Sequence, residues 1–345
     1  MSSRCPAEPY RGLSHYGSLA AEECRRQLRT SGDASYLTPL LDDYPSRGGK
    51  GLRPSICLGT CEAFGGTAAA ALPSAASIEL LHNAFLVHDD IEDASLLRRG
   101  RPTLHRCWGT PLALNAGDGL ALVAMSTLGA NGELLGARLS SLVMREFEFM
   151  SRQTVSGQAL ELGWRMDNRL DLDADDYLDL IMRKTCWYTT VLPLRVGALI
   201  GSWGTADLDP LVAFGFHLGA AFQIRDDILN LTGDVSRYGK EPLGDLLEGK
   251  RTLMLLHLAA AADSSDRSWL ECYLDGERQD RRLEEATELY ELMRRYGSIA
   301  FAESFASGMA EAARISMEHA FAGLPDTPAR EFVGSLIPYM IERDA

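Results

Sequence analysis

The stretch LLHNAFLVHDDIEDASLLRRGRPTLH, residues 80–105, contains the acidic and basic residues from which both the fold and the function are predicted. An apolar run with helical character ends in an acidic cluster and passes directly into a basic loop. Asp89 and Asp93 are four residues apart. In a helix with about 3.6 residues per turn their carboxylates project from one face, one turn apart, with Asp90 beside them. Stacked carboxylates repel each other, so the pattern predicts a cation between them.

Magnesium is the cation that this cluster favours. Hard oxygen ligands suit Mg²⁺ better than zinc or iron, and Mg²⁺ binds through one or two carboxylates together with substrate phosphates. Arg98 and Arg99 follow after a short loop, and guanidinium groups suit phosphate oxygens. The alternative is a solvated helix end and a solvated turn, because charge runs usually lie at the surface. The apolar residues before the aspartates favour the mouth of a buried site instead.

A second acidic cluster occurs in FQIRDDILNLTGDVSRYGKEPLGDLLEGKRT, residues 222–252. An apolar run again ends in paired aspartates, Asp226 and Asp227, and lysines follow at Lys240 and Lys250. If the two acidic helix ends face each other, metal ions can bridge a diphosphate from both sides. Metal-assisted departure of a leaving group requires this arrangement.

The two clusters resemble the aspartate-rich motifs of the trans-type isoprenyl diphosphate synthases, the polyprenyl synthetase family that includes geranylgeranyl and farnesyl diphosphate synthases. GGKGLRP, residues 48–54, is similar to the family's GGKRxRP element, and Lys184-Thr185 is similar to its KT pair. GQALELG, residues 157–163, is similar to its GQxxDL element, with Glu161 in place of aspartate. The order and approximate spacing agree over most of the chain. The resemblance implies the isoprenoid synthase type I fold, a helical bundle with a central cavity.

The resemblance also implies a prenyltransferase that joins isopentenyl diphosphate head to tail to an allylic diphosphate. About three Mg²⁺ ions would stabilise the departing diphosphate, the alkene of isopentenyl diphosphate would attack the allylic cation, and a proton would then pass to the released diphosphate. The implied metal ligands are Asp89, Asp93 and Asp226, and Asp90 and Asp227 would support them without binding the metal directly. The leaving diphosphate would contact Arg98, Lys184 and Lys240, and isopentenyl diphosphate would contact Lys50, Arg53, His82 and Arg99. Further polar contacts to the substrates would come from Thr185, Gln223 and Lys250.

Product length is predicted from the residues beneath the first acidic cluster. Phe85 lies one turn below Asp89, and Ala84 is displaced by about 100° around the helix. In the family that the sequence resembles, bulky side chains at these two positions close the pocket for the growing chain. Here only one of the two is large. We therefore expect geranylgeranyl diphosphate as product, with farnesyl diphosphate second and a longer product third.

Two positions depart from the family pattern. Gly51 stands where arginine is common, and Asn230 stands where the second motif often has aspartate. An asparagine carbonyl can bind a metal ion but brings no charge. We expect weaker binding of isopentenyl diphosphate from the first departure and weaker metal binding from the second.

Two other functions must be weighed. Class I terpene cyclases use the same metal-assisted ionisation, and their second motif would align in part with Asp227, Asn230 and Asp234. A catalytically silent subunit that modulates a partner synthase is the other alternative, although such subunits are expected to lose aspartates. A cyclase does not hold a second diphosphate, so Lys50 and Arg53, with the arginine doublet, favour chain elongation.

Composition sets broader bounds. The chain has 345 residues, 46% of them hydrophobic, which is enough for a large core. A formal charge of −14 argues against nucleic acid as a partner. Seven cysteines without CxxC spacing predict a reduced, cytoplasmic protein. No apolar run approaches the roughly 20 residues of a membrane span, so we expect at most peripheral membrane contact. A homodimer is expected from the resemblance alone.

Helical periodicity dominates the chain, and no segment shows sustained two-residue alternation. We predict an all-α protein with a disordered lead over residues 1–12, then a single domain over residues 13–345 that forms a bundle of ten or more helices. The predicted helices are residues 14–30, 36–44, 73–94, 111–132, 134–164, 173–201, 246–262, 281–296, 298–321 and 327–343. Pro193 is expected to kink or interrupt the helix that contains it.

Overall fold

The computed structural model describes residues 10–30, 35–233 and 242–342, and it is predominantly helical. The elements of the first half are α1 (Tyr10–Thr30), α2 (Thr38–Ser46), α3 (Leu52–Ala63), α4 (Ala68–Glu92), β1 (Leu97–Arg98), β2 (Arg101–Pro102), α5 (Leu104–Trp108), α6 (Thr110–Gly129) and α7 (Asn131–Met166). The second half contains α8 (Ala174–Ile181), a π-helical segment (Met182–Val191), α9 (Leu192–Gly201), α10 (Asp209–Thr232), α11 (Gly244–Glu248), α12 (Leu253–Ala261), α13 (Ser264–Asp275), a 3₁₀ turn (Arg278–Asp280), α14 (Leu283–Arg295), α15 (Ser298–Ala320) and α16 (Pro328–Glu342). The all-α prediction is confirmed.

Helix α4 is central to the first of two hydrophobic clusters. It packs against α1, α3, α6, α7 and α9, and most of its side chains are buried. The helix begins at Ala68, earlier than predicted, because the Thr67 hydroxyl caps it by accepting a hydrogen bond from the backbone N–H of Ala70 at 3.3 Å. Pro73, predicted to start the helix, lies inside it. The buried helix carries the first acidic cluster at its C-terminal end.

Helix α10 is central to the second cluster and carries the second pair of aspartates. It packs against α15 and the π-helical segment.

The predicted single helix over residues 173–201 consists of three elements in the structure, α8, the π-helical segment and α9. Pro193 lies in the first turn of α9, where its missing N–H costs little. Long π-helical stretches are rare and often occur at functional sites.

Several predicted boundaries were wrong. The predicted helix 246–262 is interrupted by a turn at Gly249, which has φ +69° and ends α11. Helices α3, α5 and α13 and the short hairpin of β1 and β2 were not predicted, and strands of two residues are too short to show alternation. The expected lead of residues 1–12 overlaps α1, which begins at Tyr10. The predicted roles of Lys240 and Asp234 fall outside the described residues.

The expectation about apolar runs also needs correction. Two helices of the described chain, α4 and α6, are long and apolar enough to cross a bilayer by length and composition. The most apolar window of α4 is 67% buried inside the protein and that of α6 is 44% buried. Core helices pass the same test, and α4 and α6 pack against each other.

Candidate functional site

The acidic ends of α4 and α10 line one cavity of about 780 Å³. Residues of both hydrophobic clusters line the cavity, and α3, α7 and the π-helical segment also contribute to its wall. The predicted site residues that line it are Lys50, Arg53, His82, Phe85, Asp89, Arg98, Arg99, Lys184, Thr185, Gln223, Asp226, Asp227 and Lys250. Ala84, Asp90 and Asp93 are buried next to the site without lining the cavity.

Asp89 faces cations on two sides. Its Oδ1 is 3.5 Å from the Lys184 Nζ, and its Oδ2 is 3.4 Å from the Arg98 NH2. Burial and the neighbouring charge of Asp93 oppose ionisation, but Lys184, Lys250 and Arg98 outweigh them and lower the pKa of Asp89. The carboxylate is therefore held in its charged form at the cavity wall.

Asp93 forms the C-terminal cap of α4 and is 2% exposed. Its carboxylate is 2.8 Å from the Arg165 NH2 and 3.3 Å from the Lys250 Nζ. Burial opposes ionisation, but Lys250, Lys184 and Arg165 outweigh it and hold the pKa of Asp93 well below its usual range. Arg165, at the end of α7, carried no motif that would have identified it from the sequence.

Asp90 is fully buried, does not line the cavity and holds other site residues in place. Its carboxylate accepts hydrogen bonds from the Tyr44 hydroxyl at 2.5 Å and from the Arg98 Nε at 3.0 Å. The Tyr44 hydroxyl also accepts a hydrogen bond from the backbone N–H of Leu104 at 3.3 Å. Asp90 therefore ties α2, α4 and the hairpin together, and Tyr44 is a supporting residue that the sequence did not reveal.

Lys184 lies on the π-helical segment and has the anionic partners that its apolar sequence context demands. Its Nζ is 2.7 Å from the Glu161 Oε1 on α7, besides its contact with Asp89. Burial lowers the lysine pKa, but Glu161 and Asp89 outweigh this effect and raise it. Gly157 of α7 packs directly on the lysine backbone, because a Cβ there would lie 2.4 Å from the Lys184 N.

Asp227 follows Asp226 on α10 and is 6% exposed. It accepts hydrogen bonds from the Tyr177 hydroxyl and from the Gln223 Nε2, each at 2.7 Å. Gln223 in turn accepts a hydrogen bond from the Thr185 hydroxyl at 3.1 Å. Burial and the nearby charge of Asp245 raise the pKa of Asp227 to about 8, against the two hydrogen bonds, which lower it. The sequence signalled the polar pair of Thr185 and Gln223 but not Tyr177.

The Asn230 amide oxygen faces the protein interior. Asn230 is 5% exposed, and its Oδ1 accepts a hydrogen bond from the backbone N–H of Asp245 at 3.0 Å. The residue therefore anchors the start of α11 in this structure. Lys250, on the loop after α11, contacts Glu248 at 2.8 Å and Asp245 at 3.4 Å as well as Asp93. The buried Arg251, which also lines the cavity, was not predicted.

A basic group forms another part of the wall. The Arg53 guanidinium is 3.2 Å from the His82 Nε2, donates to the Thr189 hydroxyl at 3.0 Å, and lies 4.5 Å above the Tyr188 ring. Burial and the charge of Arg53 lower the pKa of His82 well below its usual range, so the imidazole is neutral. Lys50 is exposed at the cavity rim, 5.7 Å from the centre of the Tyr339 ring.

Gly51 has a structural reason to be glycine here. Its φ is +58°, and a Cβ would lie 2.8 Å from the Cα of Gly17 on α1. Only glycine fits both the left-handed backbone and this close approach. The departure from the family pattern therefore accompanies close packing of α1 against the start of α3.

The apolar end of the cavity is lined by Phe85 and Tyr188. Their rings make an edge-to-face contact at 5.8 Å between centroids. Tyr188 lies one turn after Lys184 on the π-helical segment, so it links the polar and apolar parts of the cavity. Ala84 is 1% exposed and packs in the core. The sequence indicated Phe85 but gave no sign of Tyr188.

The carboxylates fit magnesium that arrives with a diphosphate. Across the described ranges of the chain, no three His, Cys, Asp or Glu side chains are grouped so that they could hold a metal ion by themselves. Mg²⁺ needs only one or two protein carboxylates when phosphate oxygens and water complete its shell. Asp89 and Asp226 on one cavity, beside several cations, provide that kind of site.

Comparisons with known proteins show the family of this chain. The polyprenyl synthetase family model matches residues 34–293. The short chain isoprenyl diphosphate synthase of Methanothermobacter thermautotrophicus is 32% identical over 335 residues, covering 96% of this chain and 98% of that protein. The geranylgeranyl diphosphate synthase of Sulfolobus acidocaldarius is 38% identical over 229 residues, covering 66% of this chain and 68% of that protein.

A solved structure is also similar over the full length. The polyprenyl synthase from Caulobacter crescentus, complexed with calcium and isoprenyl diphosphate, has a TM-score of 0.85 at 25% identity, covering 99% of this chain and 100% of that chain. The chain therefore belongs to the polyprenyl synthetase family of trans-isoprenyl diphosphate synthases, and it is a short-chain prenyltransferase.

Proposed function

We propose that this protein is a Mg²⁺-dependent geranylgeranyl diphosphate synthase that condenses isopentenyl diphosphate with an allylic diphosphate. One observation carries the proposal: the acidic parts of α4 and α10 line the same cavity as two groups of cations, Lys184 and Arg98 at Asp89 and Arg53 at His82. Two cation groups suit an enzyme that binds two diphosphates at once, which a terpene cyclase has no need to do.

The allylic diphosphate would bind between Asp89 and Asp226. About three bound Mg²⁺ ions, held by these two residues and Asp93, would supply charge neutralisation for the departing diphosphate. Asp93 contacts Arg165 and Lys250, so it joins the metal site only when these contacts are exchanged. Lys184 and Arg98 would bind the phosphate oxygens of the allylic diphosphate, and further polar contacts to it would come from Lys240, Thr185, Gln223 and Lys250. Asp90 and Asp227 would hold neighbouring site residues in place without binding the metal directly.

Isopentenyl diphosphate would bind to Lys50, Arg53, His82 and Arg99. The Arg53 Nε and the His82 Nδ1 are buried and have no hydrogen-bond partner within the described part of the chain. Unpaired buried donors are costly, so these atoms suit a ligand that supplies acceptors. Because the two diphosphates bind to different groups of cations, the alkene can be held beside the allylic carbon. Positioning of this kind contributes much of the rate enhancement of two-substrate reactions.

The growing chain would extend toward Phe85 and Tyr188. Phe85 limits the length of the product, whereas Ala84 packs in the core and does not reach the cavity. We therefore propose geranylgeranyl diphosphate as the main product, ahead of farnesyl diphosphate and of longer chains.

We place the enzyme in the cytoplasm as a homodimer. Helix α6 exposes apolar side chains along one face, with Leu122 71% exposed and Leu114 44% exposed. A second copy of the chain is the partner proposed for this face. The six described cysteines are free thiols, which suits a reducing compartment. Sedimentation analysis of the wild type and of Leu122→Glu tests the dimer; a monomeric wild type would contradict it.

The test of function is a product assay. The enzyme is incubated with isopentenyl diphosphate, Mg²⁺ and each of the dimethylallyl, geranyl and farnesyl starters, and the product masses are read. We expect geranylgeranyl diphosphate, with its formation lost in Asp89→Asn and in Asp226→Asn. Cyclisation of a starter without extension would identify a terpene cyclase instead. Absence of any product, with activity appearing only beside a partner synthase, would identify a modulating subunit.

A further inference from the structure

The hairpin that carries Arg98 and Arg99 has little stability of its own. Its strands β1 and β2 have two residues each and pair in antiparallel register. An isolated hairpin of this size is marginal in water. Its turn places Arg99 at φ +53° and Gly100 at φ +73°. A left-handed conformation is unfavourable for a residue with a side chain such as Arg99, so contacts from outside the hairpin must hold it in this shape.

Arg47, at the end of α2, provides those contacts. Its NH1 donates to the backbone carbonyl of Arg98 at 3.0 Å and to that of Arg101 at 3.4 Å, and its NH2 donates to the carbonyl of Pro102 at 2.8 Å. Its Nε donates to the Asp43 Oδ1 at 2.5 Å. The side chain is 2% exposed. One guanidinium thus spans both strands of the hairpin and is fixed to α2.

We propose that Arg47 is a positioning residue for diphosphate binding, which holds the hairpin so that the guanidinium groups of Arg98 and Arg99 are set at the cavity before substrate arrives. The inference rests on the proposed function and adds a residue to it. Arg99 donates to the backbone carbonyl of Tyr44 on the same helix at 3.1 Å. Helix α2 therefore holds the hairpin through Arg47 and holds Arg99 directly.

The contacts distinguish Arg47 from a direct diphosphate ligand, although it lies at the cavity wall. Each of its three guanidinium nitrogens already donates to an atom of the chain, and its carbon lies 4.4 Å from the centre of the Tyr44 ring. The Arg47 guanidinium therefore has no nitrogen left over for a diphosphate, and it can hold the hairpin without breaking any of these hydrogen bonds. The Arg53 Nε, in contrast, is buried with no partner in the described ranges.

Arg47→Met tests the proposal, and Arg101→Met is the matched control. Arg101 lies on the same hairpin and contacts the same Asp43 at 3.4 Å, but its side chain is 56% exposed. The control removes one positive charge near the site and keeps the contacts of Arg47 to the backbone. Three readouts are needed: hydrogen exchange of segment 97–103, the Kd of isopentenyl diphosphate without Mg²⁺, and kcat and KM for both substrates. Arg47→Lys, which keeps the charge, serves if the methionine variant does not fold.

For Arg47→Met we expect exchange in the hairpin to speed up at least tenfold and the Kd of isopentenyl diphosphate to rise about tenfold, equivalent to about 1.4 kcal/mol. KM should rise for both substrates, while kcat changes less than about threefold. Arg101→Met should match the wild type within about twofold. Weaker binding with unchanged exchange would make Arg47 a direct ligand and overturn the proposal, as would equal losses in the two variants. If the wild type neither binds nor extends isopentenyl diphosphate, the proposed function fails, while the exchange data still report whether Arg47 holds the hairpin.

Discussion

Gly157→Ala should impair catalysis although the residue contacts no substrate. A Cβ at this position would lie 2.4 Å from the backbone N and 2.8 Å from the Cα of Lys184. Backbone atoms cannot move aside by changing rotamer, so α7 and the π-helical segment must separate by about 1 Å to restore ordinary contact. Overpacking of this kind costs about 1–3 kcal/mol of stability. A misplacement of about 1 Å in a catalytic group can cost about 100-fold in rate.

Gly163→Ala is the matched control, because it lies on the same helix and a Cβ there would meet no atom within 4 Å. Alanine in a helix interior is favoured over glycine by up to about 1 kcal/mol, so the control should be as stable as the wild type or more so. The assay is steady-state condensation at saturating substrates, with thermal unfolding measured in parallel. We expect kcat to fall about 100-fold in Gly157→Ala and to be unchanged in Gly163→Ala. A Gly157→Ala enzyme with the kcat of the wild type would show that the packing of Gly157 on Lys184 does not affect catalysis.

Other predictions follow from single contacts. Phe85→Ala removes the ring that packs on Tyr188 and should lengthen the products, as measured by mass spectrometry. An unchanged product would show that Phe85 does not limit the length of the product. Lys184→Met leaves Glu161 without its buried partner, so kcat should fall about 10²–10³-fold and stability by about 3–5 kcal/mol, measured by condensation assay and denaturant titration. Asp227 has a pKa of about 8 in the folded protein against about 3.9 unfolded, so the stability contributed by its neutral form is complete below pH 4 and is lost as pH rises toward 8. Asp227→Asn removes this titration, so between pH 4 and pH 8 the metal-free variant should gain up to about 5 kcal/mol of stability relative to the wild type. Urea unfolding of both proteins at both pH values measures the difference, and equal pH dependence in the two proteins would contradict this prediction.

The sequence predicted those features that depend on local spacing. The helical class follows from periodicity, and Asp89 could be placed at a helix end because it follows an apolar run. Asp226 also follows an apolar run, but α10 continues past it to Thr232. The need of Lys184 for an anionic partner could also be deduced, since unpaired burial of a lysine is expensive. The partners Glu161 and Asp89 emerged only when three helices were packed together.

Features that depend on tertiary contacts were not predictable in the same way. Tyr44 and Tyr177 are ordinary aromatic residues in the sequence, and their hydroxyls become partners of buried aspartates only in the fold. Arg47 lies next to a recognisable glycine-rich element, but nothing local shows that it reaches a hairpin some fifty residues later. The sequence suggests Asn230 as a metal ligand, but its amide oxygen accepts a hydrogen bond from the backbone N–H of Asp245.

The proposed reaction requires Asp89 and Asp226 to share one site, and a double-mutant cycle measures whether they do. Mg²⁺ binding in the presence of inorganic diphosphate is measured calorimetrically for the wild type, Asp89→Asn, Asp226→Asn and the double variant. Residues that hold one ligand together should be coupled, so the loss in the double variant should differ from the sum of the single losses by about 1 kcal/mol or more. Losses that add within about 0.5 kcal/mol would show that the two aspartates act independently, and they would contradict the shared site.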